Sequence, residues 1–359
     1  MLIYYFYLKL LVFQMIWDMQ QRIMRPIIQT DVIETIKKYS GAKVVVTSTT
    51  KDKRDWSKYN ESLVNRGSLT LFVSKDFARD WYVRHDEKTP RNRGGQPKYT
   101  DAAILAMQSL RFLFRQPLRS IEGFVRSLVA MMKLDLEVPD YTTIALKFKE
   151  MKVKLPLIPR DRNGYVGSLD STGFKIHGQG EWNRKKHKQT DRADWVKMHI
   201  AIDNESMEIL AVETTADDVQ DPEVFTSLID ALPGTPSTIM GDGAYDTFAA
   251  YERAHADGFE LIAPPRENAI TYPNSDAPHV LARNTHVAYY QSKGMYAWAN
   301  KNDYWQRNKV ETTMSRFVTT FSDRISSRKV QSQKNEIILK CQILNIFIAQ
   351  NNVYQDSAA

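Results

Sequence analysis

At 359 residues, with 43% apolar and 25% charged residues, the chain has an ordinary globular composition and room for two or three domains. Its only cysteine, Cys341, excludes a disulfide framework and a thiolate zinc site, and implies a reducing, cytoplasmic setting. The net charge of +7 is unevenly spread: residues 1–164 carry 29 Lys and Arg against 17 Asp and Glu, residues 165–359 carry 20 against 25. A basic front half beside an acid-bearing back half fits a phosphate-gripping arm joined to a metal-binding core.

The first 17 residues, Met1 to Trp17, are apolar but interrupted by Lys9 and Gln14. They are shorter than the roughly 20 apolar residues a spanning helix needs, and they lack the charge order and small residues of a signal peptide. We expect a buried or partner-packing segment, or translation from a start upstream of the functional one, rather than a membrane anchor. Residues 1–58 read as an N-terminal extension and linker, partly disordered, with one short strand at Lys43 to Val46. Tyr59 to Val73 and Phe77 to Val83 are short ordered pieces. Residues 86–98, with Pro90 and the Gly94-Gly95 pair, form a polar hinge.

Three helices should follow. Thr100 or Asp101 caps the first, which runs to about Phe114 with Ile104, Leu105, Met107, Leu110 and Leu113 at helical spacing. Pro117 or Leu118 opens the second, through Ile121, Phe124, Val125, Leu128, Val129 and Met132. Asp140 or Thr142 caps the third, through Ile144, Leu146 and Phe148, which also carries Lys147, Lys149, Lys152 and Lys154. A basic third helix suggests a helix-turn-helix-like module able to enter a major groove. The plainer reading is a small bundle that only packs against the core. Residues 59–160 are thus expected to form a mainly helical DNA-binding region.

From Gly164 the pattern changes to strands. Tyr165 to Phe174 is one; Trp195 to Asp203 and Met207 to Thr214 make a hairpin around Asn204 to Ser206. Asp221-Pro222 opens a helix, Thr238 to Met240 is a short buried strand, Thr247 to His255 is helical, and Glu260 to Pro264 is a further strand. A long connection, 266–303, precedes a helical stretch from Tyr304 through Glu311, and Glu336 to Ile348 forms a last apolar helix. The order β-β-β-α-β-α-β-α matches an α/β, ribonuclease-H-like catalytic core, a mixed sheet flanked by helices over residues 161–350, with a short insertion at about 266–303 and a tail at 351–359.

Two acids end apolar strands, Asp170 in Ser168-Leu-Asp-Ser-Thr-Gly173 and Asp242 in Met240-Gly-Asp-Gly-Ala-Tyr-Asp246; a third, Glu311, sits on the late helix. Hard cations such as Mg²⁺ take oxygen ligands, and a pair of them clamps the attacking and leaving oxygens of an in-line phosphoryl transfer. Three carboxylates drawn together repel one another unless cations neutralise them. Taken singly, an Asp at a strand end is more often a turn cap. Gly243 after Asp242 permits close backbone approach or positive φ.

The stretches YNESLVNRGSLTLFV (59–73), PDYTTI (139–144), LDSTGFKIHG (169–178), GDGAYDT (241–247), APPREN (263–268) and YWQRNKVETTMSRF (304–317) resemble a bacterial insertion-sequence DDE transposase of the insertion-sequence-five type. The resemblance spans roughly residues 55–350, with 72 and 69 residues between successive acids. It implies an enzyme that binds the inverted-repeat ends of its own element as a homodimer on double-stranded DNA. Such an enzyme uses Mg²⁺, or Mn²⁺, as two ions to hydrolyse a phosphodiester at each end, and drives the freed 3′ hydroxyl into target DNA. It also implies that Asp170, Asp242 and Glu311 are the catalytic metal ligands, and that Tyr304 and Arg307 are the first two letters of a Tyr-Arg-Glu-Lys signature whose non-acid members contact DNA. The fourth letter departs: a Lys is expected seven residues after the Glu, and position 318 is Val. Arg316 and Lys329 are the candidate substitutes.

Further basic residues are candidate DNA contacts: Lys175 and His177 beyond Asp170, and the run Arg184, Lys185, Lys186, Lys188 in the loop after the first strand. Lys197 and His199 alternate on the second strand and share a side, where packing or salt-bridging is favoured over catalysis. Trp182, Trp195 and Trp305 could stack on an unpaired base, with core packing preferred. Two other functions compete: a ribonuclease-H-like nuclease or resolvase without strand transfer, and a catalytically weakened DNA-binding regulator of the same element.

Overall fold

The computed structural model describes residues 56–68, 78–84, 96–176 and 195–356, the last six without their side chains. The N-terminal segment, the strand at Lys43 to Val46, most of the hinge at 86–98, and Trp182 with the run Arg184 to Lys188 lie outside the described residues. The chain divides into two units, Met1–Asn60 and Glu61–Ala359. Helix α1 (Trp56–Asn65) crosses that division, and everything below concerns the second unit.

Three helices follow where the periodicity predicts them: α2 (Asp101–Leu113), α3 (Leu118–Met131) and α4 (Tyr141–Glu150). Thr100 caps α2 by accepting from the Ala103 N–H at 3.1 Å. Asp140 caps α4 by accepting from the Thr142 and Thr143 N–H groups at 2.8 and 2.9 Å. The Thr142 and Thr143 hydroxyls and N–H groups hold the Asp140 carboxyl down at about 2.

The sheet has strands β1 (Val166–Ile176), β2 (Trp195–Asp203), β3 (Ile209–Ala216), β4 (Thr238–Met240), β5 (Glu260–Ile262) and β6 (Arg324–Ile325). Its order is β3-β2-β1-β4-β5. The first three strands are antiparallel neighbours, whereas β4 runs parallel to both β1 and β5. Helices α5 (Asp221–Asp230) and α6 (Phe248–Asp257) provide the crossovers around β4.

Side-chain alternation sends neighbouring residues of one strand to opposite faces. Leu169, Ala201, Ala211, Ile239 and Leu261 pack with Val224, Phe225, Leu228, Tyr251 and Ala254 of α5 and α6. Phe174, Val196, Met198, Ile200 and Ile202 face the other way, into a core they share with α2, α3, α4, α8 (Asn308–Phe321) and α9 (Val330–Asp356). Cys341 lies in that core, fully buried, its thiol pushed up by desolvation.

The three N-terminal helices therefore share one apolar core with the sheet. Polar ties reinforce the union. Asn335 on α9 donates to the Phe148 and Met151 carbonyls and accepts from the Val153 N–H, and Arg115 donates to the Thr319 and Thr320 carbonyls at the end of α8. The segment joining α4 to β1 is pinned by buried Glu208, which accepts from Arg162 and the Ile158 N–H.

The structure adds the short strand β6, carries β1 past Asp170 to Ile176 so that this acid lies within a strand, and ends α4 at Glu150 before Lys152 and Lys154; two further elements differ more. The connection 266–303 contains a 24-residue helix, α7 (Pro278–Lys301), broken at Gly294 where φ 79° and ψ 170° leave helical space. Its buried residues are few and Gly294 interrupts it two-thirds of the way along, so no continuous apolar stripe announces it. The last helix extends well past the apolar stretch at both ends, because polar residues continue it there.

Candidate active site

Strand register brings the first two acids together. β1 and β4 pair in parallel with Ser168 opposite Met240, so Asp170 and Asp242 each lie two residues beyond a matched pair. β4 stops at Met240, and among the described residues β1 finds no further partner on that side until Lys175 meets Arg324 of β6. Asp170 sits along this uncovered stretch of β1, on the face that packs α8.

The third acid arrives through the insertion. Beyond the break at Gly294, Trp298 and Ala299 pack with Met240, Ile262 and Tyr304, and the Trp298 and Tyr304 rings lie 5.1 Å apart. The Tyr304 hydroxyl donates to the Gly241 carbonyl at 3.1 Å, one residue before Asp242. A single 3₁₀ turn, Tyr304–Arg307, then leads into α8, whose first turn carries Glu311. Glu311 thus stands at a helix start rather than mid-helix.

Arg307 links the acids. Its Nη2 lies 3.2 Å from Asp170 and its Nη1 donates to Glu311 at 2.6 Å. Burial raises the Asp170 pKa, opposed by the Arg307 guanidinium and the Ser171 N–H; Asp242 and Glu311 add to the rise. For Arg307, burial works against the charge, but Tyr304, Asp170 and Glu311 outweigh it and raise its pKa. Burial pushes the Tyr304 phenol up to about 12, so it stays protonated and able to donate. Asp242 accepts the Ala244 N–H at 2.9 Å, which fixes its side chain at the start of a 3₁₀ turn.

Two glycines allow this packing. A Cβ on Gly241 would lie 2.6 Å from the Tyr245 ring, and one on Gly243 would lie 3.3 Å from the Pro264 carbonyl oxygen. Gly243 serves close approach; its φ is not positive.

The donor set, three carboxylates and no sulfur or imidazole, suits a hard divalent cation. Among the described residues, no three acid, His or Cys side chains already stand close enough to cage an ion. The reason is visible: a guanidinium occupies the space between Asp170 and Glu311, supplying the positive charge those carboxylates need. The residues fit such a cation as neighbours rather than as a closed cage.

The other sequence candidates are placed as follows. Lys175 projects to the opposite sheet face from Asp170, its ammonium 5.3 Å above the Trp195 ring. Lys197 and His199 also lie on that opposite face and converge on Asp221, at 2.5 and 3.3 Å. His199 is fully buried beside the Thr215 hydroxyl, and desolvation lowers its pKa to about 4, so salt-bridging and packing describe this pair. Lys147 is half-buried and Lys149 exposed on the last turn of α4. Trp305 is not a core residue: it is 44% exposed, and its indole N–H donates to Asn300. Tyr304 and Arg307 take the inward positions of that turn.

Val318 is exposed rather than packed under α9, and Arg316 donates to the Met207 sulfur at 3.5 Å. Sequence reasoning missed the Asp246–Arg283 pair, in which Arg283 of α7 forks onto both carboxylate oxygens at 2.7 and 2.8 Å. Asp246 also accepts the Arg266 N–H at 3.2 Å. Its only sequence signal was its place at the end of the Gly-Asp-Gly-Ala-Tyr-Asp run.

Residues 161–346, more than half of the chain, match a family model described as Transposase DDE domain, and residues 64–179 match a second model of the same description. Among solved structures, the chain overlaps a piggyBac transposase synaptic complex with hairpin DNA at 9% identity, covering 82% of this chain and 77% of that one, with a TM-score of 0.40. It overlaps a Mos1 mariner paired-end complex with Mn at 11% identity, covering 80% and 89%, with a TM-score of 0.19. Overlaps this loose assign no residue equivalences.

Proposed function

The chain belongs to the DDE transposase family, and we propose that it binds the inverted-repeat ends of an insertion sequence of the insertion-sequence-five type, cleaving and joining DNA there with divalent cations. The observation that carries this reading is the parallel register that sets Asp170, within β1, and Asp242, just past the end of β4, each two residues beyond a matched pair, with Arg307 tying Asp170 to Glu311.

Asp170, Asp242 and Glu311 would hold the cation, Mg²⁺ or Mn²⁺. When bound, it would supply charge stabilisation at the attacking and leaving oxygens. The chain itself contributes positioning. β1 and β4 give two acids rigid backbones, and the Tyr304 hydroxyl anchors the strand end beside Asp242. Trp298 and Tyr304, packed on β4 and β5, set the start of α8 and hence Glu311. Arg307 supports phosphate contact, since a guanidinium fork matches a phosphodiester once released from its carboxylates. The basic end of α4, with half-buried Lys147 and exposed Lys149, supports contact with the DNA backbone, and Lys175, on the sheet face opposite Asp170, and the run Arg184, Lys185, Lys186, Lys188 extend the basic candidates. Assembly as a homodimer on DNA and a cytoplasmic, nucleoid-associated location complete the reading. Among the described residues, no helix is long and apolar enough to cross a membrane.

Asp170→Asn tests it. Cleavage of an end-bearing duplex should drop by at least about 10³-fold, the order lost when a group stabilising transition-state charge is removed, while DNA binding persists. Loss of binding together with cleavage would assign Asp170 a structural role and sink the proposal.

A further inference from the structure

Arg307 has an unusual set of partners. Its two terminal nitrogens go to different carboxylates, 3.2 Å from Asp170 and 2.6 Å from Glu311, so it makes no two-pronged pair with either. Its Nε is buried without a hydrogen-bond partner. The side chain is only 13% exposed, whereas Glu311 is 55% exposed. A cation in such a place is held mainly by charge, because fork-to-fork geometry, the stronger arrangement, is absent. It is also the positive group next to the partly buried Asp170 carboxylate, whose ionisation desolvation opposes.

Resting on the reading that these acids hold divalent cations, we propose that Arg307 is a resident counter-charge that competes with the metal for Asp170 and Glu311. Loading the site displaces its guanidinium from the carboxylates, and the released fork is then free for a phosphodiester. A cation held by Asp170 and Glu311 would compete for the space that the Arg307 guanidinium takes between them. While Arg307 is engaged, only the disengaged fraction of molecules is competent for metal, and apparent affinity falls by that fraction. The linkage is reciprocal: a polyanion that draws Arg307 away tightens metal binding by the same factor by which metal tightens its hold on the polyanion. Protein without DNA would thereby be kept from assembling a loaded site.

The test reads metal binding directly. Mn²⁺ is titrated into the full chain without DNA and followed by electron paramagnetic resonance, for wild type, Arg307→Gln, Arg307→Lys and Asp170→Asn. Melting curves check that each variant folds. Arg307→Gln should bind Mn²⁺ roughly tenfold more tightly at the Asp170-dependent site, the gain expected if about nine molecules in ten are engaged. Arg307→Lys should fall between, since one ammonium cannot fork across both acids. If Arg307→Gln does not fold, the Lys variant alone must still bind more tightly than wild type. A folded variant that binds Mn²⁺ equally or more weakly overturns the proposal and makes Arg307 an organiser of the acids, leaving the metal-site reading intact. Wild-type Mn²⁺ binding unaffected by Asp170→Asn overturns that underlying reading, and this proposal with it.

Discussion

Two arginines close to one another in sequence meet acids in opposite ways. Arg283, on the first leg of α7, sets its Nε and Nη2 on the two oxygens of Asp246, and the side chains are 8% and 0% exposed. Its guanidinium also lies 5.0 Å from the centre of the Phe248 ring, and it donates to the Ile270 carbonyl. Arg307, past the second leg, divides its nitrogens between two acids, leaves Nε without a partner, and faces a half-exposed Glu311. One pair is saturated and buried, and fastens the insertion to the turn after Asp242. The other is open and exchangeable. The same two functional groups give a rivet or a latch according to burial and to how many donors are matched.

The sharpest way to break this comparison is to remove one acid from each pair. Asp246→Asn leaves a buried guanidinium without its counter-charge and should destabilise the protein by about 3–5 kcal/mol in urea unfolding. Glu311→Gln removes an exposed partner and should cost under about 1 kcal/mol. Equal losses would mean that both pairs are structural.

Acid should act next. Desolvation lowers the pKa of His286, beside the Arg283 region, and of His199, on the far sheet face, each to about 4 from an ordinary 6.5. A folded pKa below the unfolded value means the unfolded chain takes the proton first. Stability from these two groups is therefore full above pH 6.5 and lost as pH falls toward 4, by about 3 kcal/mol for each. Melting temperature against pH should show the decline, and His286→Gln should reduce its slope.

Tyr304→Phe probes how far the latch side depends on backbone anchoring. Losing the hydroxyl leaves the Gly241 carbonyl short of a donor and should cost about 1–2 kcal/mol. Cleavage should fall while DNA binding is retained; unchanged cleavage would show that the Asp242 turn holds itself. Smallest is Val318→Lys. An exposed position on α8 should accept Lys within about 0.5 kcal/mol. Filter binding to end-bearing DNA should tighten if position 318 faces phosphate, and no change would leave Arg316 or Lys329 as the substitute.

Much of the layout was legible because it is written in short-range patterns. Strand β2 and the short strand β4 follow from apolar runs between turn residues, and α2 and α4 follow from caps at Thr100 and Asp140 with apolar residues at helical spacing. Asp170 and Asp242 stood out as acids following short apolar strand-like runs, and Glu311 through its place on the helical stretch after Tyr304 and Arg307. Helix α7 did not, since its scattered apolar residues and Gly294 hide its period. The union of α2–α4 with the sheet was also hidden, because both readings of that bundle use the same apolar stripes and only the shared core separates them.

By itself, the sequence determined the local elements, the face each strand residue takes and the oxygen-rich donor set, since all of these depend on neighbours a few positions apart. Tertiary structure decided what those groups do together. The parallel register of β1 with β4 brings Asp170 beside Asp242, the packing of Trp298 and Tyr304 delivers Glu311, and only then does Arg307 find two acids within reach. Lys175 shows the converse: near Asp170 in sequence, it is turned away by strand alternation to the other face. Charge interactions act over a few ångströms of space, and the chain brings residues some 70 positions apart within that range only when the sheet closes.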